Sequence, residues 1–249
     1  MTIPLFKVTK VSKEYSGKGG TVKALRQVSF TAAPGEFISL VGKSGSGKTT
    51  LLRLLGGLEK PSAGQITMGR KEIPSPRIGM VFQEPRLLPW KTVEENLRLS
   101  MLHHDKTRQE TLLAKTLKQI HMESWRSAYP SQLSGGMAQR VALGRTLCYE
   151  PDIILMDEPL SALDYFTRQS LQDTIEELYL EEKKTILFVT HHVEEALRMG
   201  GRVLVLREGA LEGDLSVHYP YPRKGTSLSL EPLRRSILSI LQPSEICSA

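Results

Sequence analysis

Residues 37–58 read FISLVGKSGSGKTTLLRLLGGL, and this stretch decides the fold. FISLV is a short, nearly continuous apolar run, the pattern of a strand buried on both faces of a parallel sheet. GKSGSGKT follows at once and matches G-x-x-x-x-G-K-[ST], and an amphipathic helical pattern follows that. Glycines let the backbone curl around an anion. Successive N–H groups then converge on phosphates at a helix N-terminus, whose dipole favours negative charge. The candidate phosphate-binding residues are Gly42, Lys43, Ser44, Gly45, Ser46, Gly47, Lys48, Thr49 and Thr50. Lys48 supplies a mobile cation for the β- and γ-phosphates, and the Thr49 hydroxyl suits Mg²⁺. By itself the loop says only that a nucleotide phosphate binds, because several enzyme classes share it.

Upstream, residues 5–11 and 22–31 read as strands. Downstream, residues 60–83 read as short strands ending in IGMVFQ, and residues 92–148 turn helical. Strands then alternate with helices: IILM (153–156), a helix over 167–182, TILFVT (185–190), a helix over 193–199, and a last strand or hairpin over 202–209. This order implies βαβ units and a mainly parallel sheet. Residues 216–230 read as a loop and 230–242 as a short terminal helix.

The 249 residues are 40% hydrophobic and 24% charged, ordinary values for a globular chain. A net charge of +6 and a pI near 9.3 come from dispersed Lys and Arg, with no long run of like charge, so charge alone points to no partner. Cys148 and Cys247 have no metal-ligand spacing and suit a reducing compartment. The first residues lack the apolar core of a signal peptide, and no apolar run is long enough to span a bilayer. A membrane role therefore calls for a separate partner chain.

IILMDEP (153–159) places Asp157 and Glu158 after an apolar strand, where a parallel sheet forms its ligand crevice. Asp157 suits Mg²⁺, directly or through water, and Glu158 suits the water that attacks a γ-phosphate. Acidic residues at strand ends are also common solvated loop residues. LSGGMAQR (133–140) then puts Ser134, Gly135 and Gly136 before a helical run, a second anion-binding arrangement that could equally be a simple N-cap.

Together these segments resemble the ABC ATPases. LSGGMAQR is similar to the family signature, Gln83 to the Q-loop glutamine, SALD with Asp164 to the D-loop, and His191 to the switch histidine. Tyr15 matches the aromatic that stacks on adenine. The resemblance covers about residues 5–215. It implies an α/β P-loop NTPase with a RecA-like core and a mainly parallel sheet, an N-terminal antiparallel β subdomain and an inserted α-helical subdomain. On that scheme 1–83 with 151–215 forms the nucleotide-binding part, 84–150 the helical signature part, and 216–249 a short extension.

It also implies the chemistry. Two copies would sandwich two ATP molecules, each between the phosphate loop of one subunit and Ser134, Gly135, Gly136 and Gln139 of the other. Thr49, Gln83 and Asp157 would hold Mg²⁺. Glu158, His191, Gln83 and Lys48 would be the catalytic residues, with Asp164 contacting the opposite subunit. One departure is His192, where many importers carry Asp.

EPRLLPWKTVEENL (84–97) and VTHHVEEAL (189–197) are similar to the nitrate, sulfonate and taurine importer group. That implies multi-span permease subunits, an extracytoplasmic solute-binding protein, a peripheral place on the cytoplasmic face of the plasma membrane, and no nucleic-acid partner. Leu87, Leu88 and Trp90 either anchor a permease helix or pack between the two lobes. Two alternatives stand beside importer function: a membrane mechanotransmission or export complex, and a soluble ATPase acting on nucleic acid or ribosomes. The interval from Gly47 to Leu133 lacks the long coiled coils of DNA-repair members, and the chain holds one cassette where translation members usually hold two.

Overall fold

The structure is a computed structural model that describes residues 5–17, 20–69, 76–223 and 228–242. In chain order its main elements are β1 (Phe6–Gly17), β2 (Gly20–Ala32), β3 (Phe37–Val41), α1 (Lys48–Leu55), β4 (Ala63–Met68), β5 (Ile78–Val81), α2 (Val93–Arg98), α3 (Lys106–Gln119), α4 (Gly135–Leu147), β6 (Ile153–Asp157), α5 (Tyr165–Glu182), β7 (Thr185–Thr190), α6 (Val193–Met199), β8 (Arg202–Arg207), β9 (Ala210–Ser216) and α7 (Glu231–Leu241). They form two compact units, Met1–Pro76 with Thr185–Ala249, and Arg77–Lys184. The second unit is wider than the helical inset expected at 84–150, since β5, β6 and α5 lie within it. Cys247 lies outside the described residues.

In the first unit, β1 pairs antiparallel with both β2 and β4. Lys10 and Gln27 take left-handed backbone at φ 48° where the β1–β2 register shifts, the mark of bulges that coil this pair. β3 pairs parallel with β7 and with β8, and β9 turns back antiparallel on β8. Every residue of β3 and of β7 is buried, in keeping with their nearly continuous apolar runs. Phe37 and Phe188 meet edge to face across this pair, ring centroids 6.3 Å apart.

The hairpin over β8 and β9 resolves the last strand, and β9 falls mostly where no element was expected. Its sequence, ALEGDLS, has few large apolar residues because its side chains are all exposed or half-buried. The expected loop over 216–230 holds a 3₁₀ turn at Leu228–Leu230, which leads into α7. Ile237 and Leu241 of α7 are buried against Val193 and Leu197 of α6 and Val203 and Val205 of β8.

In the second unit β5 and β6 pair parallel, Ile78 with Ile153 through Val81 with Met156. Gly79 lets α4 come close, since a Cβ there would lie 2.5 Å from Thr146 Cγ2. The helices carry side-chain caps that the sequence spells out: Thr92 with Glu95 as a capping box on α2, and Asp105 on α3. The helical run expected from 93 tightens to a 3₁₀ turn at Leu99–Met101. Burial pushes the Cys148 thiol up to about 11, so it stays protonated and unreactive at neutral pH.

Glu94 is the electrostatic node of this unit. It accepts from Arg126 and from Arg98 Nε at 2.8 Å, and Arg98 also bonds Glu110. The Arg126 guanidinium, then that of Arg98, lowers the Glu94 carboxyl from an ordinary 4.5 to about 2. A carboxyl lowered on folding stabilises the native state above its unfolded value, and the contribution fades as pH falls towards the folded value. The advantage of wild type over Glu94→Gln in urea midpoint is therefore expected to hold steady above pH 4.5 and to shrink between pH 4.5 and about 2. Parallel urea titrations of the two proteins across that range measure it.

Candidate active site

The phosphate loop is boxed in by backbone. Gly47 caps α1 with φ 102°, and a Cβ there would sit 2.4 Å from the Ala24 carbonyl oxygen. A Cβ on Gly42 would sit 2.4 Å from the Leu206 carbonyl oxygen. Gly209 N donates to Ser46 O at 3.1 Å, so the β8–β9 turn fastens the loop from one side. Lys48 is buried in the first turn of α1, and its Nζ donates to the carbonyls of Gly42 and Lys43 at 2.8 and 3.0 Å. Lys43, Ser44 and Gly45 are exposed, and Thr49 and Thr50 are half-buried.

Strand register brings His191 to this loop. Val41 pairs with Thr190, so Gly42 and His191 leave neighbouring strands at the same edge. The His191 and His192 rings lie tilted against each other, centroids 4.1 Å apart. The backbone here is fixed by Thr190: its Oγ1 donates to Glu195 Oε2 at 2.5 Å and accepts from His192 N at 3.0 Å.

Tyr15 lies on β1, and its hydroxyl donates to Glu59 Oε2 at 2.6 Å. The Lys13 ammonium sits 5.0 Å from the ring centroid. Burial and the Glu59 carboxylate raise the phenol pKa, while the Thr50 hydroxyl pulls it the other way. That contact ties Tyr15 to the start of α1.

The second unit gathers the other residues in two groups. Val81 pairs with Met156, so Gln83 and Glu158 each stand two residues beyond a paired position, at one edge of β5 and β6. Asp157 is the last residue of β6. Gln83 is exposed and Glu158 half-buried. Glu158 adopts φ 45°, a left-handed conformation that costs a side-chain-bearing residue on the order of 1 kcal/mol. Ser161 holds it there, its N and Oγ donating to Glu158 O at 3.2 and 3.0 Å. Strain held in place by neighbours is a mark of functional sites.

The other group is the signature. Ser134 caps α4, its Oγ accepting from Met137 N at 3.3 Å, and Gly135 and Gly136 open the helix. A Cβ on Gly136 would stand 2.0 Å from Thr167 Cγ2, so only glycine fits against α5. Thr167 N in turn donates to Asp164 Oδ1 at 3.1 Å and so caps α5, and the Thr167 hydroxyl, then its N–H, lower the Asp164 carboxyl pKa. The start of α4 and the start of α5 are thus one interlocked piece. Gln139 departs from expectation. It is 2% exposed, and its Nε2 donates to Phe82 O at 2.9 Å. Its amide is therefore committed to the interior of the unit, where it ties α4 to the residue before Gln83.

Residues 84–91 form a braced surface. Trp90 is 70% exposed, so it does not pack in the interior, while Leu87 and Leu88 are half-buried. The fully buried Asn96 accepts from Leu88 N at 2.9 Å and donates to the carbonyls of Leu88, Lys91 and Thr92. Arg145 donates to the carbonyls of Pro85 and Arg86 at 3.0 and 2.8 Å. Neither Asn96 nor Arg145 stood out in the sequence. The available signal was a polar residue at an apolar helical position, in VEENLRL.

Comparison with known proteins agrees with this geometry. The family model described as ABC transporter matches residues 25–161. An uncharacterized ABC transporter ATP-binding protein of Methanocaldococcus jannaschii is 40% identical over 95% of this chain and 91% of its own length. An aliphatic sulfonates import ATP-binding protein of Shouchella clausii is 41% identical over 88% of this chain and 86% of its own. Among solved structures, the dimeric post-hydrolysis state of an ATP-binding cassette bound to ADP and Pi is 32% identical with a TM-score of 0.75, covering 86% of this chain and all of that one. A RecA-like P-loop core with an N-terminal antiparallel sheet and helical insertions is the fold they share. The chain belongs to the ABC transporter family and is an ATPase subunit of that type.

Proposed function

We propose that this chain hydrolyses Mg-ATP as a face-to-face homodimer on the cytoplasmic side of a membrane and so energises import of a small organic anion of the sulfonate class. The observation that carries the reading is the Val41–Thr190 register, which sets the phosphate loop beside His191. A triphosphate held by the loop's N–H groups and by Lys48 would present its γ-phosphate to the His191 ring. Glu158 would accept the proton of the attacking water. Tyr15 would stack on adenine. Ser134, Gly135 and Gly136 would cap the ATP of the other subunit, with Asp164 beside them. Gln139 drops out of that set because its amide faces inward.

For the cation, the Thr49 hydroxyl, Gln83 amide and Asp157 carboxylate are hard oxygen donors that suit Mg²⁺. Mg²⁺ bound there would neutralise charge on the β- and γ-phosphates.

Two observations support the importer branch. Several relatives that match nearly the whole chain are aliphatic sulfonates import proteins. Trp90 also stands proud on a loop that Asn96 and Arg145 have already ordered, as a docking surface for a permease helix requires. No helix among the described residues is long and apolar enough to cross a membrane.

Glu158→Gln is expected to lower ATP turnover by about 100-fold or more and to double the solution mass when Mg-ATP is added. Light scattering on the eluting protein measures the second effect, and a strictly monomeric variant at saturating Mg-ATP, even with its membrane partners, would refute the sandwich. Trp90→Ala is expected to cut solute uptake by the reconstituted transporter while ATP affinity stays within about twofold. Equal loss of both would count against a docking role.

A further inference from the structure

α6 is a seven-residue helix, too short to be stable on its own, and its N-cap is the residue after His191. The segment that follows β9 grips its other end. Arg223, 6% exposed, sends Nη1 to the carbonyls of Leu197 and Gly200 at 2.9 and 2.6 Å. Its Nη2 reaches Val217 and Tyr219 carbonyls at 3.2 and 2.7 Å, and its Nε also bonds Tyr219 O. The Tyr221 hydroxyl donates to Met199 O at 2.6 Å, and the Arg223 guanidinium lies 4.3 Å from the Tyr221 ring centroid. A cation thus sits on the negative end of α6 and occupies carbonyls that the helix cannot pair itself.

α7 completes the grip. Arg234 Nε donates to Glu194 Oε1 at 2.9 Å, close to the start of α6. Burial opposes the Glu194 charge, but Arg234 wins, and the carboxyl pKa lies below its ordinary value. The far end of α7 is fixed as well: Arg207 Nη1 donates to Ile240 O at 2.9 Å. Leu241 there lines a cavity of about 380 Å³ together with Lys43, Ser44 and Ser46 of the phosphate loop. Residues 217–223 therefore hold the C-terminal end of α6, while α7 holds its first turn and shares a cavity with the phosphate loop.

We propose that residues 217–223 and α7 act together as a strut that sets the position of His191 relative to the phosphate loop, with Arg223 and Arg234 as positioning residues for hydrolysis. The proposal rests on the reading of His191 as the group that meets the γ-phosphate. Neither arginine touches substrate. Each acts through α6: Arg223 by fixing its C-terminus, Arg234 by fixing its first turn through Glu194. A strut of this kind changes the rate of the chemical step and leaves nucleotide affinity alone, because the loop that holds the phosphates keeps its own clamps.

The test measures steady-state ATPase activity of the purified chain at varied Mg-ATP, for Arg223→Lys, Arg234→Gln and Glu194→Gln, alone and combined with His191→Ala. Lysine keeps the charge of Arg223 but lacks the fork that spans several carbonyls. The expected result for Arg223→Lys is a kcat about tenfold lower with KM unchanged. For the half-exposed pair the expected fall is about two- to fivefold. These losses should vanish when His191 is already alanine, since groups acting through one residue are not additive with its removal. The charge-swapped double variant Arg234→Glu with Glu194→Arg should recover most of the lost turnover. Should Arg223→Lys fail to fold, Arg234→Gln and Glu194→Gln carry the test unaided. Unchanged kcat in these variants, or the same loss with and without His191, overturns the strut while leaving the role of His191 intact. Full turnover by His191→Ala alone overturns the reading of His191, and the strut with it.

Discussion

The structure depends on the absence of two Cβ atoms. Gly42 and Gly47 lie so close to the Leu206 and Ala24 carbonyl oxygens that any side chain would force the loop open. The loop's curvature is therefore set by contact with β2 and β8 from either side, and glycine is the condition for that contact. With the loop fixed, a phosphate bound there would meet donors already held in place. Preorganised donors of that kind are worth more than flexible ones, because nothing is spent on reorientation when charge arrives.

The same economy appears in the other unit, built from different parts. Gly136 admits the methyl of Thr167, and Asp164 caps the helix that carries Thr167. Serine, two glycines and an aspartate far apart in sequence share one local packing problem. Glu158 is set differently, by an uncommon backbone angle held by Ser161. In all three places a candidate site residue is positioned by backbone geometry, which varies less with solvent and temperature than side-chain rotamers do.

Much of this was legible in the sequence, for a physical reason. FISLV and TILFVT are nearly continuous apolar runs, relieved only by Ser39 and by the threonines at the ends of the second, the pattern of strands buried on both faces. Glycine and acidic residues at strand ends carry their chemistry openly. What stayed hidden was buried polarity. Asn96, Gln139 and Arg223 look like surface residues in one dimension, and each turns out to be buried and bonded to backbone carbonyls. Periodicity counts apolar residues, so it cannot tell a polar side chain that serves a loop from one that faces water. The strand β9 escaped for the converse reason: a half-exposed edge strand needs few large apolar residues to be recognised by.

The braced loop around Trp90 would have a thermodynamic consequence for any partner that docked there. Its carbonyls and amides are already bonded to Asn96 and Arg145, so a partner meets a surface whose conformational entropy was surrendered during folding. Complex formation at such a face is governed by shape and desolvated apolar area. Its heat-capacity change should then scale with the area covered, without the extra decrement that accompanies a disordered segment condensing onto its target.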